Sequence, residues 1–106
     1  MLSNVLQQKE ITIDEEYYVL QQIPAFTGLK IQHKLMELSE QGISWNPEVV
    51  LEVISASVIK NGQLVDNKKF DVMFAGKTTH LSNVFNAAVE FNFFEEDKDG
   101  ESVPLA

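Results

Sequence analysis

The sequence predicts a mainly α fold, with about three helices, a small N-terminal β strand or hairpin and a disordered acidic C-terminal tail. Two segments place apolar residues at helical spacing, a third apolar segment opens with a helix-capping signal, and an early segment is rich in β-branched and aromatic residues. With 106 residues the chain has the usual length of one domain. We therefore expect a single helical domain over residues 1–94 and a flexible acidic tail over residues 95–106.

The β element is expected between Glu10 and Leu20. Ile11 and Ile13 alternate with polar residues, and the aromatic pair Tyr17-Tyr18 follows, which is typical of a short strand or hairpin. Pro24 disfavours a helical conformation at the residue before it, so a boundary is expected there.

The first helix is expected between Ala25 and Gln41, and Gly42 is a plausible stop. Apolar residues interleave there with charged and amide side chains, which fits an amphipathic helix. The apolar residues are Phe26, Leu29, Leu35, Met36 and Leu38.

The second helix has the clearest start. Asn46 supplies a capping side chain, Pro47 suits the first helical position, and Glu48 faces the positive end of the helix. The segment from Val49 to Ile59 is apolar almost all round, so we expect this helix in the middle of a core or between subunits. Residues 63–77 form no long periodic run, and we expect a connector with one helical turn there.

The third helix is expected to run from a cap at Thr78 or Thr79 to Phe91. Its apolar residues recur at the i, i+3, i+4, i+7 spacing of one helix face. They are Leu81, Val84, Phe85, Ala88 and Phe91. Phe93 and Phe94 are neighbours and cannot both face one side of a helix, so at least one is expected to be exposed or covered by a partner. Together with the apolar second helix, this predicts a homo-oligomer.

The charge of the chain limits its partners. The net charge of −8 comes from 16 acidic residues against 8 lysines, and the chain has no arginine. Nucleic-acid binding depends on clustered cations and arginine forks, so neither DNA nor RNA is an expected partner. Half of the net charge lies in residues 95–101, which also argues against an acidic mimic of DNA, whose acids would be spread over its surface.

The sequence also indicates a soluble cytoplasmic protein. It has no cysteine, its N-terminus lacks the basic and apolar regions of a signal peptide, and its longest apolar run falls far short of the roughly 20 residues that span a bilayer. We therefore expect no membrane partner.

The two histidines do not indicate a catalytic site. Neither His33 nor His80 has a carboxylate or serine at a motif spacing, so we interpret both as surface or capping residues. A small enzyme that uses one of them with a carboxylate is a minor alternative, which replacement of both histidines would test.

Two partial motifs fail in detail. Residues 95–101 resemble the start of a calcium loop, but the twelfth position of that loop is Ala106 rather than a glutamate. Gly76-Lys77-Thr78 matches the end of a phosphate-binding loop, but position 71 holds Asp where the loop needs a glycine. We therefore expect no catalytic residue, no cofactor and no metal.

The order of the features carries a resemblance. A capped apolar helix, Asn46-Pro47-Glu48-Val49-Val50-Leu51, is followed by a linker into Phe70-Asp71-Val72-Met73-Phe74-Ala75-Gly76-Lys77, and then by a helix that ends in Phe91-Asn92-Phe93 before an acidic tail. From Tyr17 to Phe94 this order resembles the tail assembly chaperones of long-tailed bacteriophages.

The resemblance implies a mainly helical, non-enzymatic protein of the host cell cytoplasm that binds the tape measure protein, keeps it soluble and helps to recruit tail tube subunits. The chain would correspond to the short form, since the family's longer form adds a C-terminal domain. A chaperone for a helical client is expected to present an apolar groove or a concave oligomer face. The residues that we predict to bind a partner are Phe91, Phe93, Phe94, Tyr17 and Tyr18. The alternative function is a structural phage tail or head–tail joining protein that is retained in the virion.

Overall fold

The computed structural model describes residues 6–42, 46–96 and 102–104, and their side chains as far as Phe93. In chain order the elements are β1 (Gln8–Ile13), β2 (Glu16–Gln21), α1 (Ala25–Glu40), α2 (Pro47–Ser57), β3 (Val58–Lys60), β4 (Gln63–Leu64), α3 (Asn67–Met73), α4 (Thr78–Phe93), β5 (Phe94–Glu96) and β6 (Ser102–Pro104). The first four strands form one antiparallel sheet in the order β1-β2-β3-β4. A mainly α fold is confirmed, but the described residues hold four helices rather than three and a four-stranded sheet rather than a hairpin alone.

The predicted N-terminal hairpin is present as β1 and β2. Ile13 pairs with Glu16, so the turn between the strands consists of Asp14 and Glu15 alone. Both turn residues have positive φ, at 51° and 70°, as the favoured two-residue hairpin turn requires. Neither is a glycine, so this turn holds a backbone conformation that side chains usually avoid.

The predicted end of the second helix was wrong. α2 ends at Ser57, and Val58 adopts extended backbone angles and pairs with Leu20 in β2. The β-branched residues Val58 and Ile59 at the end of this segment are compatible with a strand as well as with a helix. Their pairing with β2 stabilises the strand. Asn61 and Gly62 then take positive φ of 55° and 81°, and this Asn-Gly turn leads into β4.

The predicted connector is a short helix instead of a single turn. α3 is capped by Asp66, whose side chain accepts a hydrogen bond of 2.8 Å from the backbone N–H of Lys69. α4 begins at Thr78, and Leu81 N–H donates to the Lys77 carbonyl. The threonines that were expected to cap α4 therefore lie in or near its first turn.

The core lies between α2, the sheet and α4. α2 buries Val49, Val50, Val53, Ile54 and Ser57. Tyr18 and Leu20 from β2 and Val84, Phe85 and Ala88 from α4 belong to the same cluster. Of the two placements expected for the apolar second helix, the middle of a core or a contact between subunits, the structure shows the first.

A polar network ties the ends of three core elements together. Asn92 accepts a hydrogen bond of 2.7 Å from the backbone N–H of Ile23 and donates to Ser57 Oγ at 3.0 Å and to the Ala88 carbonyl at 2.9 Å. Ser57 Oγ in turn donates to the Gln21 carbonyl at 2.7 Å. Ser57 is fully buried, so these bonds replace the water that its hydroxyl group loses.

The C-terminal segment differs from the disordered tail that the sequence predicted. The backbone of Phe94–Glu96 pairs with that of Ser102–Pro104 as a two-stranded antiparallel ladder. The rest of the predicted tail, residues 97–101 and 105–106, lies outside the described residues. Among the described residues, no helix has both the length and the apolar character needed to cross a membrane.

Candidate functional site

The outer face of α1 exposes three large apolar side chains. Phe26 is 75% exposed, Leu29 64% and Met36 58%. At 3.6 residues per turn, Leu29 and Met36 lie almost in line and Phe26 lies one turn before them. We call these three residues the α1 outer stripe.

The opposite face of α1 fixes the orientation of the helix. Ile31 is fully buried, and Leu35 and Leu38 pack against the core. Lys34 Nζ donates to Glu52 Oε1 of α2 at 2.7 Å, and this hydrogen bond raises the pKa of Lys34. Because the inner face holds α1 in place, the apolar outer stripe is directed to solvent.

Polar groups lie beside the stripe and within it, since His33 follows Leu29 by four residues and precedes Met36 by three on the same helix face. Lys30 Nζ lies 5.4 Å from the centre of the Phe26 ring, within the range of a cation–π contact. His33 Nε2 lies 2.5 Å from Glu37 Oε1, one turn further along α1, and both side chains are exposed. The stripe therefore combines apolar side chains with polar ones, as protein-binding surfaces do.

The five aromatic residues predicted to bind a partner do not form one patch. Tyr18 and Phe93 belong to the core, at 2% and 8% exposure, and Phe91 is partly buried against it. Tyr17 is half exposed, and its hydroxyl donates to Glu10 Oε1 at 2.5 Å, which raises the pKa of Tyr17. The side chain of Phe94 lies outside the described residues.

The aromatic residues are separated along α4. Tyr18 contacts His80 in the first turn of the helix, whereas Phe91 and Phe93 lie in its last turn, about 20 Å away at 1.5 Å per residue.

The α1 outer stripe was the surface that the sequence prediction missed. Its signal was present, because Phe26, Leu29 and Met36 fall on the side of the helix opposite to Ile31, Leu35 and Leu38.

A second site is a cleft of about 420 Å³ between the turn after β3, α3 and the start of α4. Three lysines, Lys60, Lys69 and Lys77, line it together with Tyr18, His80 and Glu16. We call this site the lysine cleft. It gathers three of the eight lysines of a chain whose net charge is −8.

A hydrogen-bond relay forms one wall of the lysine cleft. His80 Nδ1 lies 2.8 Å from Asp14 Oδ2, and His80 Nε2 lies 2.6 Å from the hydroxyl of Tyr18. An ionised carboxylate only accepts, so the neutral ring carries its proton on Nδ1 and accepts at Nε2 from Tyr18. Asn83 Nδ2 also donates to Asp14 Oδ2, at 3.0 Å.

The pKa values of the two ends of the relay are shifted in opposite senses. The hydrogen bond from His80, followed by that from Asn83, holds the pKa of Asp14 below its usual value. Burial, with smaller contributions from the charges of Glu16 and Asp14, raises the pKa of Tyr18 to about 12. Tyr18 therefore stays protonated at neutral pH and keeps donating to His80.

The fold thus places the two histidines in different settings. His33 lies on the exposed face of α1, and His80 has both ring nitrogens engaged by Asp14 and Tyr18. In this arrangement neither nitrogen of His80 has a lone pair or proton left for a substrate. The relay positions side chains at the wall of the cleft, and the sequence separations of 62 and 66 residues kept it from showing as a motif.

Comparison with family models, with curated proteins and with solved structures gives no match for this chain.

Proposed function

We propose that this chain is a phage tail assembly chaperone that holds a helical segment of the tape measure protein on the α1 outer stripe. In this role it keeps the client soluble in the host cytoplasm and helps to recruit tail tube subunits. The single observation that supports the proposal is the exposed apolar face of Phe26, Leu29 and Met36 on a helix whose other face is already packed. The resemblance from Tyr17 to Phe94 supplies the identity of the client.

The geometry of the stripe favours a helical partner. From Phe26 to Met36 the stripe extends about 15 Å along α1, or roughly three helical turns. A helix docks with anchors at i, i+3, i+4 and i+7, and a client helix with one apolar face offers such anchors over the same length. Long apolar clients also need a soluble carrier, and the net charge of −8 opposes association of loaded complexes.

The size of the stripe sets a modest binding strength. Complete burial of a large apolar side chain is worth roughly 1.5–3 kcal/mol, and about two thirds of each side chain is still exposed. The three side chains together then contribute roughly 3–6 kcal/mol before the cost of association. Such a contact holds a client during assembly and releases it afterwards.

The test is co-expression with the tape measure protein of the same phage. We expect the chain to keep the client in the soluble fraction and to co-purify with it, and we expect Leu29→Ser and Met36→Ser to lose both effects. Val72→Ser is the matched control, because Val72 is 80% exposed on α3, away from the stripe. Equal client solubility with the wild-type chain, the stripe variants and no chain at all would overturn the proposal.

Two further measurements separate the alternatives. Light scattering of the chain alone reports whether it self-associates. A mass that rises with concentration in the wild type and not in Leu29→Ser would assign the stripe to contacts between copies and would contradict its assignment to the client. Mass spectrometry of purified virions that finds the chain would favour the structural tail or head–tail joining protein.

A further inference from the structure

We propose that the lysine cleft binds a small phosphate-bearing anion, either free phosphate or a phosphate monoester. This inference rests on side chains other than those of the α1 outer stripe and does not depend on the proposed function. It extends the partner chemistry of the chain from proteins to a small ligand.

The charge of the cleft differs in sign from the charge of the chain. Three lysines line the cleft against Glu16, and the relay at its wall adds the Asp14 carboxylate, which leaves a local charge of about +1. The chain as a whole carries −8. Like charges brought together raise the free energy of the fold unless a counter-charge is present, so an anion in the cleft would stabilise the arrangement of the three lysines.

The lysines are held in place mainly by neutral groups. Lys60 Nζ donates to the Tyr17 carbonyl at 2.9 Å and lies 4.7 Å from the centre of the Tyr18 ring, and its distance to Glu16 Oε1 is 3.9 Å. Lys69 Nζ donates to the side-chain oxygen of Gln63. Neutral acceptors position these ammonium groups without cancelling their charge, so the charge remains available to a ligand.

Lys77 is the lysine with the most freedom to bind. Its ammonium group has no hydrogen-bond or ion-pair partner among the described residues. It directly precedes α4, and the first turn of that 16-residue helix contains no acidic side chain. The helix N-terminus adds a favourable field for an anion that the three lysines already attract.

The glycine before Lys77 completes this local arrangement. Gly76 has a φ of 71° and ends the turn after α3. The sequence Gly76-Lys77-Thr78 therefore places a lysine at a helix start as a phosphate-binding loop does, although Asp71 rules out the complete loop. Lys60 at the end of β3 and Lys69 of α3 add positive charge to the same cleft.

Size and charge favour a small ligand over a polymer. The cleft volume of about 420 Å³ lies within the range of roughly 300–1,000 Å³ typical of small-molecule sites. A compact anion places its charge within the cleft that the three lysines line. An extended polyanion also meets the acidic surface outside the cleft, where charges act over a Debye length of about 8 Å at physiological salt.

The test is calorimetric titration of the full chain with inorganic phosphate and with phenyl phosphate at constant ionic strength. We expect saturable binding of one anion per chain. Lys77→Gln should weaken that binding by about tenfold or more, because a charge-assisted hydrogen bond contributes roughly 1.5–3 kcal/mol. Lys30→Gln, which removes a lysine of α1, should leave it unchanged, and thermal unfolding should show that both variants are folded.

The two probes distinguish the sources of the phosphate group. Tighter binding of phenyl phosphate would assign the cleft to an organic monoester, and equal binding would assign it to the free ion; both support the proposal. Equal weakening by Lys77→Gln and Lys30→Gln, or no saturation with either probe, would overturn it. Tighter binding of a polyglutamate peptide than of either phosphate would also overturn it and would identify an acidic peptide as the ligand.

Discussion

Replacement of Asn92 by alanine tests whether the polar network at the end of α4 holds the core together. The substitution removes three hydrogen bonds: one from the Ile23 backbone, one to Ser57 and one to the Ala88 carbonyl. At roughly 0.5–1.5 kcal/mol net per bond, the free energy of unfolding should fall by roughly 2–4 kcal/mol. The buried N–H of Ile23 dominates this loss, because the surroundings offer it little water as a substitute.

The assay is urea unfolding followed by circular dichroism. With a slope of roughly 2 kcal/mol per molar urea, the midpoint should fall by about 1–2 M. Asn86→Ala is the matched control: Asn86 is exposed on the same helix, so its replacement should change stability by less than about 0.5 kcal/mol. A loss below about 1 kcal/mol for Asn92→Ala, or one no larger than that of the control, would refute the reasoning.

A double-mutant cycle locates the contribution of Ser57. Ser57→Ala leaves one Asn92 donor without its acceptor, so the two residues share a bond. The double variant should therefore lose less stability than the two single losses added together, by about 1 kcal/mol. Strict additivity would mean that the two side chains stabilise the fold independently.

Further predictions concern the relay and two glycines. Asp14→Asn should reduce the loss of folding stability at acid pH. The hydrogen bond from His80 lowers the pKa of Asp14 in the folded chain, so the carboxylate stabilises the fold above its unfolded pKa of 3.8, and this contribution is lost as pH falls through the folded pKa. The free energy of unfolding measured between about pH 5 and pH 2 would record the difference. Gly62→Ala should destabilise the fold by about 1 kcal/mol because its φ is +81°. Gly28→Ala should stabilise it by up to about 1 kcal/mol, because Gly28 lies in α1 and the new methyl group would come no closer than 3.9 Å to Ile23 and Phe93. Ultraviolet titration should show a tyrosine ionising near pH 12, and Tyr18→Phe should remove that transition.

Three of the four described helices, α1, α2 and α4, were predictable because their signals are local. The cap at Asn46 accepts a hydrogen bond of 3.1 Å from Val49 N–H, as the sequence predicted, and the spacing of apolar residues located α1 and α4. β3 was missed because it has three residues, too few to show a period of two, and its partner Leu20 lies far away in sequence. The turn at Asn61 was the available signal, since Asn-Gly between apolar segments is typical of a hairpin.

The candidate sites were less predictable because they depend on packing. The packing of α2 against α1 decides which face of α1 is buried. From the sequence alone, Phe26 and Leu35 were therefore assigned to one set of apolar residues, although only Leu35 packs against the core. The lysine cleft brings together residues from β2, the β3–β4 turn, α3 and α4, and no spacing along the chain encodes that meeting. Tyr18 and Phe93 were chosen as aromatic candidates for a surface, yet large aromatic side chains are also the residues that a core of this size buries first.

The strained hairpin turn connects the fold to the lysine cleft. Asp14 and Glu15 hold positive φ without glycine, a conformation that persists where surrounding contacts determine it. Here the Asp14 carboxylate accepts hydrogen bonds from His80 and Asn83 of α4. The aspartate therefore orients His80 at the cleft wall, although glycine would adopt the positive φ of this turn with less strain. Asp14→Gly should therefore weaken phosphate binding, and Glu15→Gly, which relaxes the same turn while leaving His80 in place, should not. Equal affinity in the two variants would mean that the cleft keeps its shape without the relay.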